Sequence, residues 1–378
     1  MIRQRWRKLW LSQEGTRRQS LSSSGGAYLF LRAVEREQRT LTRDAQEYAP
    51  TLDTEQHPVL YHYCSTSTFL SVIQRKCLWL SDVNTMNDFG EMHWSYDRFI
   101  EAANAVMDRV GREFVELVDE VISTSQLRLL PSLCAFSTDG DVLSQWRAYA
   151  DDGAGVAIGF NAKKMATLSI RIAPVEYSQE KQVEHFCTWL LATHEVYGTL
   201  PEKEKKEFIF KVGTFFSLDR AFYKNPAFSE EKEVRILRAL NPGLDDDGQW
   251  TLTDNGGSGE TGSRKKLEVQ FRAARNGGVV SYVELPLGGL GAEAITEIVI
   301  GPRSHNNGNE VSMALSAAGF GRCAYDGPPR HTGEAFGELF SRLFSARRPY
   351  RDHRYRLRTV REARVYDELP RPRHLRRR

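Results

Sequence analysis

Three stretches of this chain combine residue types that do chemistry. The first is His62, flanked by two tyrosines in the run Val59-Leu-Tyr-His-Tyr-Cys64. Side chains alternate along a strand, so Tyr61 and Tyr63 share one face while His62 takes the other with Leu60 and Cys64. A histidine there can act as an acid or base or hydrogen-bond a ribose hydroxyl. It can equally be a core residue bonded to a backbone carbonyl. The second stretch is Glu230-Glu-Lys-Glu-Val-Arg235, in which Glu231 and Glu233 lie two apart at the start of a strand and share a face. Such a carboxylate stabilises an oxocarbenium-like centre or accepts a hydroxyl proton; the alternative is a strand-edge charge paired with Arg235 or Arg147. The third is Asp82, Asn87, Asp88, Glu91 and His93, the densest set of oxygen and imidazole groups. Asp88, Glu91 and His93 could hold a divalent ion for phosphodiester hydrolysis. The same residue types make side-chain-to-backbone turns and cap the next helix, and the structural reading is favoured here, leaving no metal in the expected site.

A fourth segment, Ser137–Phe160, concentrates polar and aromatic groups between two strand-like runs. Ser144, Gln145, Arg147 and Tyr149 offer donors to a phosphate or amide, and Trp146 or Tyr149 offers a stacking surface. Trp146 alone reads more readily as core. Phosphate-loop, nucleophile-elbow, zinc-helix and dinucleotide-glycine signatures are all missing, as are helix-turn-helix and zinc-finger spacings.

These groups need elements to hold them. Strands are expected at 59–64, 77–81, 132–136, 156–160, 170–177, 232–238, 266–272, 278–286, 295–300 and 322–325, where β-branched and aromatic runs alternate. Ser65 is placed to cap a helix carrying Phe69, Leu70 and Ile73. A long helix over 94–123 shows Phe99, Ala103, Val106, Val110, Phe114, Val118 and Val121 at steps of three and four. Further helices are expected at 179–196, 202–222, 308–318 and 334–345, with weak helix at 28–40. Residues 241–263 read as a long polar loop.

The chain of 378 residues has 40% hydrophobic residues and a net charge of +3. Residues 1–47 carry 10 basic against 5 acidic residues, and 347–378 carry 13 against 4, which leaves the remainder with 29 against 40. The body is therefore acidic and both ends are basic, which fits contact with nucleic acid or a ribonucleoprotein, or solvated tails. Five scattered cysteines without a paired spacing point to a reducing cytoplasm. No run approaches the roughly 18 apolar residues of a membrane span.

The organisation expected is a basic extension (1–50), an α+β body (51–351) and an Arg-rich tail (352–378). The body reads as a single mixed domain with a split, largely antiparallel sheet flanked by helices.

Several blocks resemble the bacterial family known as domain of unknown function 2971. They are Leu60-Tyr-His-Tyr-Cys-Ser65, Leu78-Trp-Leu-Ser-Asp82, Met86-Asn-Asp88 with Glu91, Ser144–Gly153, Gly155–Phe160, Phe228–Ile236, Glu297–Pro302 and Pro349-Tyr-Arg351. Val234 stands where the pattern has an aromatic, and 241–263 is an insertion. A second resemblance bears on mechanism. A first-strand histidine, a Ser-capped helix, a middle aromatic segment and a late strand glutamate resemble the layout of ADP-ribosyltransferases. That resemblance implies NAD as the cofactor, with His62 contacting a ribose, Tyr149 or Trp146 stacking on nicotinamide and Glu233 as the catalytic carboxylate. Ser65, Arg147 and Glu231 would line the same site, and Glu230 and Glu231 are available in place of Glu233. It further implies a toxin or phage-defence effector that modifies nucleic acid or a translation component. A metal-dependent nuclease using Asp88, Glu91 and His93, and a non-catalytic nucleic-acid-binding module, are the alternatives.

Overall fold

The computed structural model describes residues 52–85, 90–125, 128–254, 256, 266–274, 277–321, 323–325 and 355–359. The expected extension over 1–50, its weak helix and the helix near 334–345 lie outside these. In chain order the elements are β1 (Val59–Cys64), α1 (Thr66–Arg75), β2 (Cys77–Asp82), α2 (Gly90–Val110) and α3 (Arg112–Ser123). Then come β3 (Leu130–Ser137), α4 (Leu143–Tyr149), β4 (Val156–Asn161), α5 (Ala162–Ala166), β5 (Arg171–Pro174), α6 (Gln179–Tyr197) and α7 (Glu202–Asp219). The rest are β6 (Glu233–Leu244), β7 (Trp250–Asp254), β8 (Val269–Ala273), β9 (Val279–Pro286), β10 (Ile295–Ile300), α8 (Gly308–Ala317), β11 (Cys323–Tyr325) and β12 (Tyr355–Thr359). The fold is mixed α+β with a largely antiparallel sheet, as expected.

The chain divides into two compact units. The first takes in Leu78–Ser137 and Ala166–Pro286. Its sheet is built on β6, which pairs with β3 from Leu130↔Leu240 to Ser137↔Glu233, with β5, and with β7. β3 continues to β2, β9 and β8. The helices α2, α3, α6 and α7 form a separate apolar core, with α2 on α6 and α3 on α7. Phe99, Phe186 and Phe216 meet there edge to face, and Trp189 stacks on Phe216 at 4.0 Å. Each large side chain so buried contributes roughly 1.5–3 kcal/mol.

Two expectations differ here from the structure. The helix foreseen over 94–123 is broken at Gly111, whose φ of 82° lies in the left-handed region. The apolar stripe nevertheless carries on through the break, because both halves face the same core. The polar loop foreseen from 241 is in part a hairpin: β6 runs on to Leu244 and pairs Asn241↔Thr253 and Leu244↔Trp250 with β7. The turn residues Asp245–Gly248 close it, with the Asp245 carboxylate accepting from the Asp247 and Gln249 backbone N–H groups.

The second unit takes in Pro58–Cys77, Thr138–Met165 and the described residues from Leu287 on. Its strands run in the order β11-β12-β10-β4-β1. The Ser65 hydroxyl accepts from the Thr68 N–H at 3.1 Å and caps α1, as foreseen, with Phe69, Val72 and Ile73 turned inward. Leu70, placed on that face by its spacing, is 36% exposed. β12 falls inside the tail foreseen from 352, because Tyr355–Thr359 pairs with β10 on one side and β11 on the other.

Candidate active site

The first unit holds a buried, charge-balanced cluster around the start of β6. Asn225 caps a short 3-10 turn over Pro226–Glu231, its side chain accepting from the Ala227 N–H. Lys232 then takes a left-handed φ of 47° and redirects the chain into the strand. Period-2 alternation puts Glu233 and Arg235 on one face, and the Arg235 guanidinium grips Glu233 with both arms. Nε lies 2.7 Å from Oε1 and Nη2 lies 2.9 Å from Oε2. The third donor, Nη1, reaches the Ala221 carbonyl at 2.6 Å.

Lys224 enters just past the 3-10 turn Arg220–Phe222 that follows α7. Its backbone is tied to Glu176, and its carbonyl accepts from the Gln182 amide at 2.9 Å. That anchoring directs the ammonium to 2.7 Å from Glu231 and 3.3 Å from Glu233. Two cations thus face two carboxylates. Burial raises the Glu233 carboxyl, but the charge and hydrogen bonds of Arg235, then those of Lys224, outweigh it and hold the group below its ordinary 4.5. Nearby, Cys134 is pushed up to about 12 by burial and by the charge of Glu233. Tyr177, whose hydroxyl accepts from the Glu233 N–H at 3.1 Å, is raised by burial and by the same charge.

The two carboxylates are not equivalent. Glu233 has both oxygens committed and a side chain only 5% exposed, whereas the Glu231 side chain is 12% exposed. The alternative weighed for Glu233, an ion pair with Arg235, is therefore present. Arg147, the other candidate partner for that charge, is an exposed residue of the second unit.

His62, Ser65, Trp146, Arg147 and Tyr149 belong to the second unit. Tyr61 and Tyr63 do share a face, where they pack with Trp146, Ala150, Ala157 and Val299. Tyr63 meets the Trp146 indole edge to face at 4.8 Å, and the indole N–H donates to Asp141 at 3.1 Å. Trp146 is thus a core residue, 3% exposed, while Tyr149 is 39% exposed. His62 is half-buried opposite Ile158.

The tyrosine face carries a polar pair that sequence reasoning missed. The Tyr61 hydroxyl donates to the carboxylate of Glu297, and both residues are buried. Gly140 and Gly159 make room, since a Cβ at Gly140 would lie 2.6 Å from the Tyr61 ring and one at Gly159 2.8 Å from Glu297 Cγ. Tyr61 and Glu297 are 236 positions apart, and no local pattern announces such a contact. Lys224 was missed for the same kind of reason, since a turn and a helix end deliver it.

Of the metal-binding set, His93 is exposed on α2, whereas Asp88 and the Glu91 side chain lie outside the described residues. Among the described residues no group of His, Cys, Asp or Glu is placed to hold a metal ion. No described helix is long and apolar enough to cross a membrane.

Fold and site together define an α+β protein with a largely antiparallel sheet and an internal carboxylate–cation cluster. Residues 145–236 match the family described as Protein of unknown function (DUF2971), the family its motifs resemble. The matched span runs from α4 into β6, so it includes Trp146, Arg147 and Tyr149 as well as the whole Lys224–Glu231–Glu233–Arg235 cluster. No curated protein and no solved structure matches the chain.

Proposed function

We propose that this chain is an ADP-ribosyltransferase-like enzyme that consumes NAD, with Glu231 as the carboxylate that meets the reacting ribose and Glu233 as the group that positions it. The observation that carries this reading is the asymmetry of the cluster. Glu233 is locked between Arg235 and Lys224, and Lys224 in turn holds the more exposed Glu231 at 2.7 Å.

The chemistry asks for such an arrangement. In the transfer, the bond between C1′ of the ribose and the nicotinamide nitrogen breaks, and its electron pair leaves with neutral nicotinamide. Positive charge builds on the ribose, where a preorganised carboxylate stabilises it. A nucleophilic oxygen or nitrogen of the acceptor then bonds to C1′ and releases its proton to solvent. Arg235 and Lys224 hold Glu233 below its ordinary carboxylate range, and Lys224 fixes Glu231 in place before the charge develops.

The test is release of nicotinamide, and transfer of an adenylate-labelled ADP-ribose, from NAD in the presence of cell lysate. The unmodified chain should turn NAD over. Glu231→Gln should lower that turnover at least about a hundredfold, a loss of the size seen on removing one preorganised group, while its thermal midpoint falls by less than that of Glu233→Gln. No turnover by the unmodified chain, or full turnover by Glu231→Gln, overturns the reading.

A further inference from the structure

Strand β8 ends the sheet of the first unit. β9 pairs with it on one side, and among the described residues no strand pairs with it on the other. Just past the ladder the Ala274 N–H donates to the Gly278 carbonyl at 2.7 Å, and this sets the phase. Hydrogen-bonded and non-bonded pairs alternate in an antiparallel ladder. Gln270 and Arg272 therefore aim their backbone groups at β9, and Val269, Phe271 and Ala273 aim theirs away from it.

Proteins usually blunt a free edge with proline, lysine, a bulge or an outward charge. β8 has no proline or lysine, and its register with β9 is continuous from Val269↔Val283 to Ala273↔Val279. The one charge on the strand, Arg272, is folded back over the sheet. Its guanidinium lies 5.5 Å from the Trp79 ring and 6.0 Å from the Tyr282 ring, and it donates to the Ser81 hydroxyl at 3.1 Å. On the other face Phe271 is 63% and Val279 74% exposed.

We infer that β8 is a self-association edge, through which two copies of this chain pair antiparallel about a two-fold axis at Phe271. In that register Phe271 of each copy forms a hydrogen-bonded pair with its counterpart, and Val269 pairs with Ala273 of the second copy on either side. All three outward-pointing residues are used, and the exposed aromatic rings meet across the axis, a favourable cross-strand pair. Gln270 falls opposite Arg272 of the second copy, an amide against a guanidinium, and no like charges face each other. Centring the axis on Arg272 would instead oppose two guanidinium groups. This self-complementarity selects a second copy as the occupant.

The test is the mass in solution of the full chain by light scattering and sedimentation at micromolar concentration. The parent should run at twice the chain mass. Phe271→Pro and Phe271→Lys should each halve that mass. Proline is tolerated because the Phe271 N–H points away from β9, so no bond of the existing ladder is lost. Hydrogen-bonded pairs hold their Cα atoms about 5.5 Å apart, within disulfide span. Phe271→Cys should therefore cross-link to itself on oxidation, and Leu244→Cys, on an equally open surface (60% exposed), should not. A parent of single-chain mass, or a dimer that both Phe271→Pro and Phe271→Lys leave intact, overturns the inference. If Phe271→Pro fails to fold, Phe271→Lys and the cross-link decide the matter.

Discussion

Glu231 and Glu233 stand two positions apart and keep different company, and the difference governs what each substitution should do. Glu233→Gln leaves Arg235 and Lys224 facing one full charge instead of two. Breaking a buried pair in this way costs about 3–5 kcal/mol, so this variant should lose stability first and activity as a consequence. Glu231→Gln breaks the contact with Lys224 but leaves the two-armed grip of Arg235 on Glu233 in place, so it should lose less stability than Glu233→Gln and separate the two effects.

The sign of the acid response follows from the same cluster. The Glu233 carboxyl is held below 4.5 in the fold, so below that pH the unfolded chain binds a proton that the folded one refuses. Its contribution is present above pH 4.5 and is lost as pH falls through the folded value. His185 adds a second, earlier component. Burial lowers it from 6.5, and its ring contacts the Tyr223 hydroxyl, so its share of stability fades as pH drops below 6.5. Thermal midpoints measured from about pH 7 down to about pH 5 should fall in the parent and fall less steeply in His185→Gln.

At this scale the sequence was legible where chemistry is local. Alternation along β6 put Glu233 and Arg235 on one face, and the type of Ser65 announced a cap. Lys224, Tyr177 and Glu297 were illegible because tertiary structure alone brings them to their partners.

Among the elements, glycines mark where the chain had to bend or come close, and they separate two kinds of cost. Gly111 divides α2 from α3 at a φ of 82°, and an added Cβ there meets nothing within 4 Å. Gly111→Ala should therefore cost only the strain of a positive φ with an extended ψ of 149°, about 1–3 kcal/mol. At Gly155 a Cβ would sit 2.2 Å from the Cys64 carbonyl oxygen and 3.1 Å from that of Ala150. Both are backbone atoms, so neither can swing aside. Gly155→Ala should cost at least about 3 kcal/mol, the upper end for overpacking, and should shift the chemical denaturation midpoint well beyond the shift for Gly111→Ala. Equal shifts would show that β1 and the segment before β4 can part without penalty.

The same pair shows what periodicity reads and what it misses. The stripe from Phe99 to Val121 identified a helical face correctly but was blind to the break, because a break that preserves the face leaves the apolar spacing unchanged. The β6–β7 hairpin escaped notice because Asn-Pro-Gly and Asp-Asp-Asp-Gly are turn chemistry, and only the second of them makes a turn. Pro242 instead sits within β6 opposite Leu252.

For the whole molecule, the governing fact is that a net charge of +3 conceals an acidic body between basic ends. If the acceptor in the proposed transfer is a nucleic acid or a ribonucleoprotein, the ends are the part of the chain suited to hold it. Each arginine that neutralises a phosphate releases a counterion and steepens the salt dependence of binding. Arg371, Arg373, Arg376, Arg377 and Arg378 are the densest such group. The cut that tests them has to respect the fold: removal from 352 would take away β12, leaving β11 without that partner and β10 paired with β4 alone, and so would mix a folding defect with a binding one. A chain ending at Val360 keeps the strand and discards those arginines. It should retain the thermal midpoint of the parent, bind single-stranded RNA more weakly at low salt, and show a shallower slope of log affinity against log salt. An unchanged slope would assign any nucleic-acid affinity to the rest of the chain, and loss of NAD turnover without acceptor present would place these arginines in the chemistry rather than in acceptor capture.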